Sequence, residues 1–132
     1  MKKVLKLALL PGRFAIARLA PKTAVPAWTW KGSFVCVTRT PEELSILCEE
    51  AQVPAHVHAV RGRRLFRVQG KLAFSATGII GALSVPLAAA GISIFAVSTF
   101  DTDYLLVSDQ QLESAIEALE RAGHSIQRSN PE

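Results

Sequence analysis

From Leu72 to Phe100 the chain carries no charged residue, a run bounded by Lys71 and Asp101. A segment of that length either crosses a bilayer or lies buried inside a fold, so it constrains the architecture more than any other feature. Its internal pattern decides between the two. Ser75, Thr77, Gly78, Gly81, Ser84, Pro86, Gly91, Ser93, Ser98 and Thr99 interrupt it, and its second half is β-branched and alternating. A buried helix followed by a buried strand accounts for this pattern, and a single spanning helix does not. No membrane partner is expected. Lysines precede Val4–Leu10, but Pro11-Gly12 and Arg13 break that run too early for a secretory core, so the expected location is cytoplasmic.

The run and its flanks resolve into elements. Thr77 or Ser75 is placed as the cap of a helix reaching about Ala90, with Ile80, Leu83 and Leu87 as its stripe. Pro86 lies inside that helix, where it lacks an N–H and crowds the carbonyl of Ala82. Gly91 suits the left-handed position after a helix. Ile92–Thr99 reads as a strand, Asp101-Thr102-Asp103 as a turn and Tyr104–Val107 as the returning strand. Ser108 and Gln111 form a capping box ahead of a helix with Leu112, Ala115, Ile116 and Leu119 on one face. Gly123 stops it, and Ser125–Gln127 supplies a last strand. With Arg64–Gln69 in front and Lys71–Ala76 as a loop, the order is β-α-β-β-α-β, the ferredoxin-like split βαβ pattern.

The first half is less regular. Lys3–Leu10 and Arg13–Ala20 are apolar runs joined by Pro11-Gly12, which reads as a hairpin turn. Pro21–Lys31 is an irregular connection whose Trp28 and Trp30 are expected to cover a core edge. After the strand Ser33–Thr38, the sequence Thr40-Pro41-Glu42-Glu43 has the form of a capping box with proline at the first helical position. Leu44, Leu47, Cys48 and Ala51 then fall on one helical face, so a helix ending at Pro54 is predicted. His56–Val60 and Arg64–Gln69 form a second hairpin around Arg61-Gly62-Arg63. The expected domains are residues 1–63, an N-terminal unit, and residues 64–128, a βαββαβ unit.

Composition excludes several functions. The chain has 132 residues and is 49% hydrophobic, enough for a core and too apolar for disorder. The net charge of +4 owes much to Lys2, Lys3, Lys6 and to Arg61, Arg63, Arg64 and Arg67. The arginines read as a solvated hairpin, and only Phe66 interleaves them, so no nucleic-acid partner is expected. Cys36 and Cys48 read as free buried thiols. His56 and His58 would share one strand face, but two ligands with His124 distant in sequence make no metal site. No cofactor fingerprint is present, and Asp101 with Asp103 lacks a partner nucleophile, so neither a cofactor nor catalysis is expected.

The run Thr77-Gly-Ile-Ile and the segment from Ala82 to Val107, with its Pro86-Leu-Ala, Ile92-Ser, Ser98-Thr-Phe, Thr102-Asp and Leu106-Val elements, resemble the ACT domains of the CASTOR-type arginine sensors and of small bacterial ACT proteins. A more distant likeness is to the regulatory region of aspartate kinases. Leu19-Ala-Pro, Phe34–Thr38 and Thr40–Glu43 are similar to the start of the same sensors. The resemblance implies an α+β fold of two tandem ACT-like, ferredoxin-like βαββαβ sandwich units. It also implies a non-catalytic regulatory protein that binds a small amino acid at an ACT–ACT interface. The chain departs from the animal sensors in having one tandem rather than two, and from aspartate kinases in carrying no catalytic domain. Both departures leave the ligand and the target protein open.

The resemblance places an effector at the loop before the first helix and along the following strand edge. The candidate ligand residues there are Phe74, Ser75, Thr77, Gly78, Ile79 and Ile80. Two hydroxyls precede a helix start whose free N–H groups suit a carboxylate, although ordinary capping explains the same hydroxyls. Ser98, Thr99, Asp101 and Asp103 could receive an ammonium or a basic side chain, or could simply form a polar turn. The apolar character of Phe74, Ile79 and Ile80 leaves a second reading, an adaptor that keeps the fold and binds a protein. The two largely apolar faces of Ile92–Thr99 predict a homodimer.

Overall fold

The computed structural model describes residues 3–70 and 77–128, so the expected loop Lys71–Ala76 lies outside the described residues. Among the described residues, eight strands and two α-helices group into two compact units, Met1–Pro11 with Arg64–Glu132 (the helical unit) and Gly12–Arg63 (the inserted unit). The expected division differs here, because residues 1–11 fall with the helical unit. The reason is the pairing of the first strand.

In the helical unit, β1 (Lys6–Leu9) runs antiparallel to the end of β5 (Ala59–Val68) and parallel to β8 (Ser125–Arg128). β7 (Asp103–Ser108) pairs with β5, and among the described residues β6 (Phe95–Ser98) pairs with β7 alone. The sheet order is therefore β8-β1-β5-β7-β6. It is the split βαβ arrangement with β1 laid between its first and last strands. Alternation sends Leu5, Leu7, Leu9, Phe66, Val68, Leu105 and Val107 to one face. There they meet Ile79, Leu83 and Leu87 of α1 (Ile79–Ala89) and Leu112, Ala115, Ile116 and Leu119 of α2 (Leu112–Arg121). The buried stripe of α1 begins at Ile79 rather than Ile80, which is half-buried.

The start of α2 follows the sequence. Ser108 Oγ accepts from the Gln111 N–H at 3.2 Å, through a 3₁₀ turn over Asp109–Gln111. Gly91 and Gly123 have φ of +76° and +103°, as the ends of the two helices require. The strand expected over Ile92–Thr99 is shorter: Ile92 is buried ahead of β6. No helix among the described residues is long and apolar enough to cross a membrane.

The inserted unit holds β2 (Phe14–Leu19), β3 (Cys36–Arg39), β4 (Leu44–Glu49) and the first half of β5. β4 runs antiparallel to both β2 and β3. Three expectations fail here. Pro11-Gly12 does not close a hairpin, since β1 and β2 do not pair with each other; each pairs with a different stretch of β5. The helix predicted from Thr40 is instead the β3–β4 hairpin. Thr40 Oγ1 accepts from the N–H groups of Glu42 and Glu43, and the Thr40 N–H donates to the Glu43 carbonyl at 2.9 Å. Arg61-Gly62-Arg63 is no turn but a bulge within β5. Phe14 pairs with Arg63 and Ile16 with Val60, which leaves one extra residue on β5.

Gly62 supplies the φ of +69° at this bulge, and its N–H donates to Glu50 Oε1 at 2.6 Å. Ala15, Ala17, Leu44, Ile46, Cys48 and Val53 form the core of this unit, with Trp28 packed against it and Trp30 exposed. A short 3₁₀ turn over Ala27–Trp30 lies within the expected irregular connection, and another over Glu50–Gln52 stands where the sequence predicts the end of a helix. Cys36 and Cys48 are free thiols, Cys48 on a strand rather than a helix. Burial, aided by the neighbouring Glu49 carboxylate, pushes the Cys48 thiol up and keeps it protonated. His56 and His58 are exposed in the turn before β5, not on a strand, and the described residues hold no group of three metal ligands.

Candidate ligand site

The first helix opens on a glycine. Gly78 occupies the cap position with φ of +78°, and it has no side chain to accept from the helix. Thr77 therefore does not take the capping role that the sequence suggested, and Ser75 and Phe74 lie outside the described residues. The first helical bond runs from the Ala82 N–H to the Gly78 carbonyl at 2.9 Å. The N–H groups of Ile79, Ile80 and Gly81 precede any helical acceptor, and the positive end of the helix dipole lies there. Thr77 and Gly78 are exposed, whereas Ile79 is buried in the core and serves packing.

Thr77 and Gly78 form one end of a groove of about 690 Å³. Its wall is the outer side of α1, from Gly81 and Ala82 through Val85 and Pro86 to Ala89. These positions recur at helical spacing beside the buried stripe Ile79, Leu83 and Leu87. Ala122, His124 and Lys3 close the other side.

His124 holds the groove's floor in place. Pro86 has no N–H to give to the Ala82 carbonyl four residues earlier, so that carbonyl loses its helical donor. His124 Nε2 lies 2.9 Å from it and donates in its place, while Nδ1 accepts from the Leu5 N–H at 3.1 Å. One buried and one half-buried backbone group fix the tautomer with hydrogen on Nε2. Sequence reasoning noted the crowding at Ala82 but missed the partner it calls for. A histidine directly after the helix-stopping Gly123 was the available signal.

The second predicted cluster lies elsewhere. Ser98 pairs with Asp103 across the β6–β7 hairpin, and Thr99 closes the turn: its N–H and Oγ1 donate to the Thr102 carbonyl at 2.9 and 3.0 Å. Thr102 is buried and donates through Oγ1 to the Val68 carbonyl at 2.7 Å, tying the turn to the end of β5. Asp101 is exposed. None of Ser98, Thr99, Asp101 or Asp103 lines the groove. Thr77 and Gly78 are the predicted residues that the structure does bring to a cavity.

Fold and site together define an α+β protein with a split βαβ sheet and a small-molecule-sized groove at the start of its first helix. A family profile described as ACT domain matches residues 59–121, and a second, describing an N-terminal domain, matches residues 12–56. The cytosolic arginine sensor for mTORC1 subunit 1 of Homo sapiens is 42% identical over 59 residues, which make up 44% of this chain and 18% of the sensor. Its Rattus norvegicus counterpart is 32% identical over 69 residues, 52% of this chain and 21% of the sensor. The chain thus spans only a small part of these curated relatives. A protein of Agobacterium tumefaciens with a solved structure is 43% identical, with a TM-score of 0.93 over 98% of this chain and 96% of that one. The ligand-free regulatory subunit of aspartate kinase from Thermus thermophilus is 12% identical, with a TM-score of 0.62 over 92% and 99% of the two chains, a likeness of fold alone. Residues 59–121 of the chain therefore match the ACT domain. The chain has the α+β fold of tandem ACT-like units and resembles the arginine sensors, with aspartate kinase regulatory domains as more distant structural neighbours.

Proposed function

We propose that this protein is a non-catalytic regulatory module that binds a small amino acid, with the ligand's carboxylate at the start of α1. The observation that carries the reading is the junction at Gly78: uncommitted helical N–H groups open onto a ligand-sized groove beside Lys3. Such a terminus contributes on the order of 0.3–2 kcal/mol toward an anion beyond the hydrogen bonds themselves. Relatives named as arginine sensors support a sensing role. The free thiols fit a reducing cytoplasm. Phe74, Ser75, Ser98, Thr99, Asp101 and Asp103 belong to the proposal as residues of an effector seam between ACT units of two chains.

Two chains pair, in this reading, along β6. Among the described residues that strand has one unpaired edge, and Phe95 remains 39% exposed. Light scattering at high micromolar concentration checks this, and a monomer mass there removes the seam. The ligand assignment is tested by thermal shift and calorimetry with all twenty amino acids. Saturable binding to at least one is expected, weakened in Gly78→Val by more than the fold is destabilised. The absence of any response at millimolar concentration contradicts it. A second reading, a protein adaptor without an effector, is favoured by the exposed Phe100 and Val85. Partners captured equally well with and without free amino acids would select it.

A further inference from the structure

The groove along α1 has a chemical asymmetry that specifies its ligand further than the family likeness does. One end is positive: the dipole of α1 presents its positive end at Thr77 and Gly78, and Lys3 lines the same cavity from the opposite side. From there the wall is built of Gly81, Ala82, Val85, Pro86 and Ala89, and no Asp or Glu among the described residues lines the cavity. His124 adds no free polar atom, because Nδ1 and Nε2 are both engaged by backbone. The apolar wall continues into an adjoining hollow of about 270 Å³ that shares Pro86, Ala89 and Ala122 and adds Ala90 and Ala118. Arg121 borders that far end, ion-paired with Glu117 at 3.2 Å, so the carboxylate nearest the hollow is already committed. A ligand anchored by its carboxylate at Gly78 has to lay its side chain along this wall. A guanidinium or ammonium would find no uncommitted carboxylate among the described lining residues, since Glu117 is already paired with Arg121, and its desolvation would go largely uncompensated. A hydrocarbon side chain would find matched apolar surface, in a cavity of the size that small-molecule sites have.

We propose that this groove binds a carboxylate bearing an apolar side chain, aliphatic or aromatic, and rejects basic amino acids. The proposal rests on the amino-acid reading above and departs from the arginine named for the relatives. The shared chemistry has two sources, an apolar amino acid and the corresponding 2-oxo acid, and the experiment separates them. Calorimetry uses leucine, phenylalanine, 4-methyl-2-oxopentanoate, arginine and lysine on the full chain and on two variants. Gly81→Leu fills the groove from a helical position with no positive φ, where an added Cβ meets nothing within 4 Å, so its melting temperature is expected not to fall. Lys3→Gln removes the anchoring charge. Leucine or phenylalanine should bind with arginine and lysine weaker by about tenfold or more. Gly81→Leu should abolish that binding, and Lys3→Gln should weaken it severalfold. Arginine or lysine binding as tightly as leucine overturns the apolar assignment and leaves the amino-acid reading standing. Binding of the 2-oxo acid alone supports the groove's chemistry and overturns the amino-acid reading. Leucine binding unchanged in Gly81→Leu removes the ligand from this groove, and silence from all five probes overturns the inference.

Discussion

At the residue scale the pairing of Pro86 with His124 makes a quantitative prediction. His124→Leu leaves the Leu5 N–H and the Ala82 carbonyl without partners in a site where the histidine is 5% exposed. Each orphaned group costs about 1–3 kcal/mol, so denaturant titration should show a large loss. Pro86→Ala returns an N–H to the helical ladder opposite the Ala82 carbonyl. In that background His124→Leu should cost less by about 1 kcal/mol, the worth of one restored hydrogen bond. Equal costs in the two backgrounds would show that His124 does not stand in for the missing donor. A second residue-scale prediction concerns Glu113, whose carboxylate receives both Arg128 Nη atoms at 2.6 and 3.0 Å. Those hydrogen bonds hold its pKa below the usual 4.5, with the guanidinium's charge acting in the same direction. A lowered pKa contributes stability above the ordinary value and loses it as pH falls through the lowered one. Wild type should therefore exceed Glu113→Gln at neutral pH and converge with it in acid. Both groups are exposed, so high salt should shrink the gap. Denaturation midpoints against pH, at low and high salt, check it.

At the element scale the bulge in β5 is the most specific device. Gly62→Val places a β-branched residue at φ of +69°, and should cost about 1–2 kcal/mol, with Gly62→Asn closer to wild type. Equal stability of the two variants would mean that backbone conformation is not what the glycine provides. The same bulge shows why parts of this fold were hard to read. A glycine with positive φ serves a hairpin turn and a bulge alike, and Arg61-Gly62-Arg63 carries nothing that separates them. Thr40-Pro41-Glu42-Glu43 misleads in a similar way. A threonine hydroxyl accepting from N–H groups two and three residues on is the local chemistry of a helix cap and of this hairpin turn. Beyond the turn, β4 is buried on both faces, so Leu44, Leu47 and Cys48 match helical spacing while Leu44, Ile46 and Cys48 match strand spacing. The elements of the helical unit were legible because α2 alternates apolar and charged sides and because glycines end both helices. Half of the groove was legible too, as the helix start at Thr77 and Gly78. The other half, Lys3, Ala122 and His124, comes from positions far apart in sequence, and no local pattern announces it.

At the scale of the whole molecule, the helical unit is discontinuous in sequence, and that has a consequence for folding. β1 lies between β5 and β8, and β8 finds its strand partner in β1. Leu5, Leu7 and Leu9 are 7%, 1% and 4% exposed in the core shared with both helices. Burying three leucines is worth roughly 1.5–3 kcal/mol each, a sum comparable with the 5–15 kcal/mol that separates folded from unfolded states of a typical domain. His124 loses its Leu5 partner as well when these residues are removed. A fragment of residues 64–132 contains every element of the βαββαβ pattern read from the sequence, yet it should show no cooperative unfolding transition in circular dichroism. Adding residues 1–11 back through a permuted chain, with a flexible linker from residue 132 to residue 1, should restore the transition without Gly12–Arg63. Cooperative melting of the 64–132 fragment near the temperature of the intact chain would show that β1 is an accessory strand and that the sequence-derived boundary at 63 and 64 describes the folding unit.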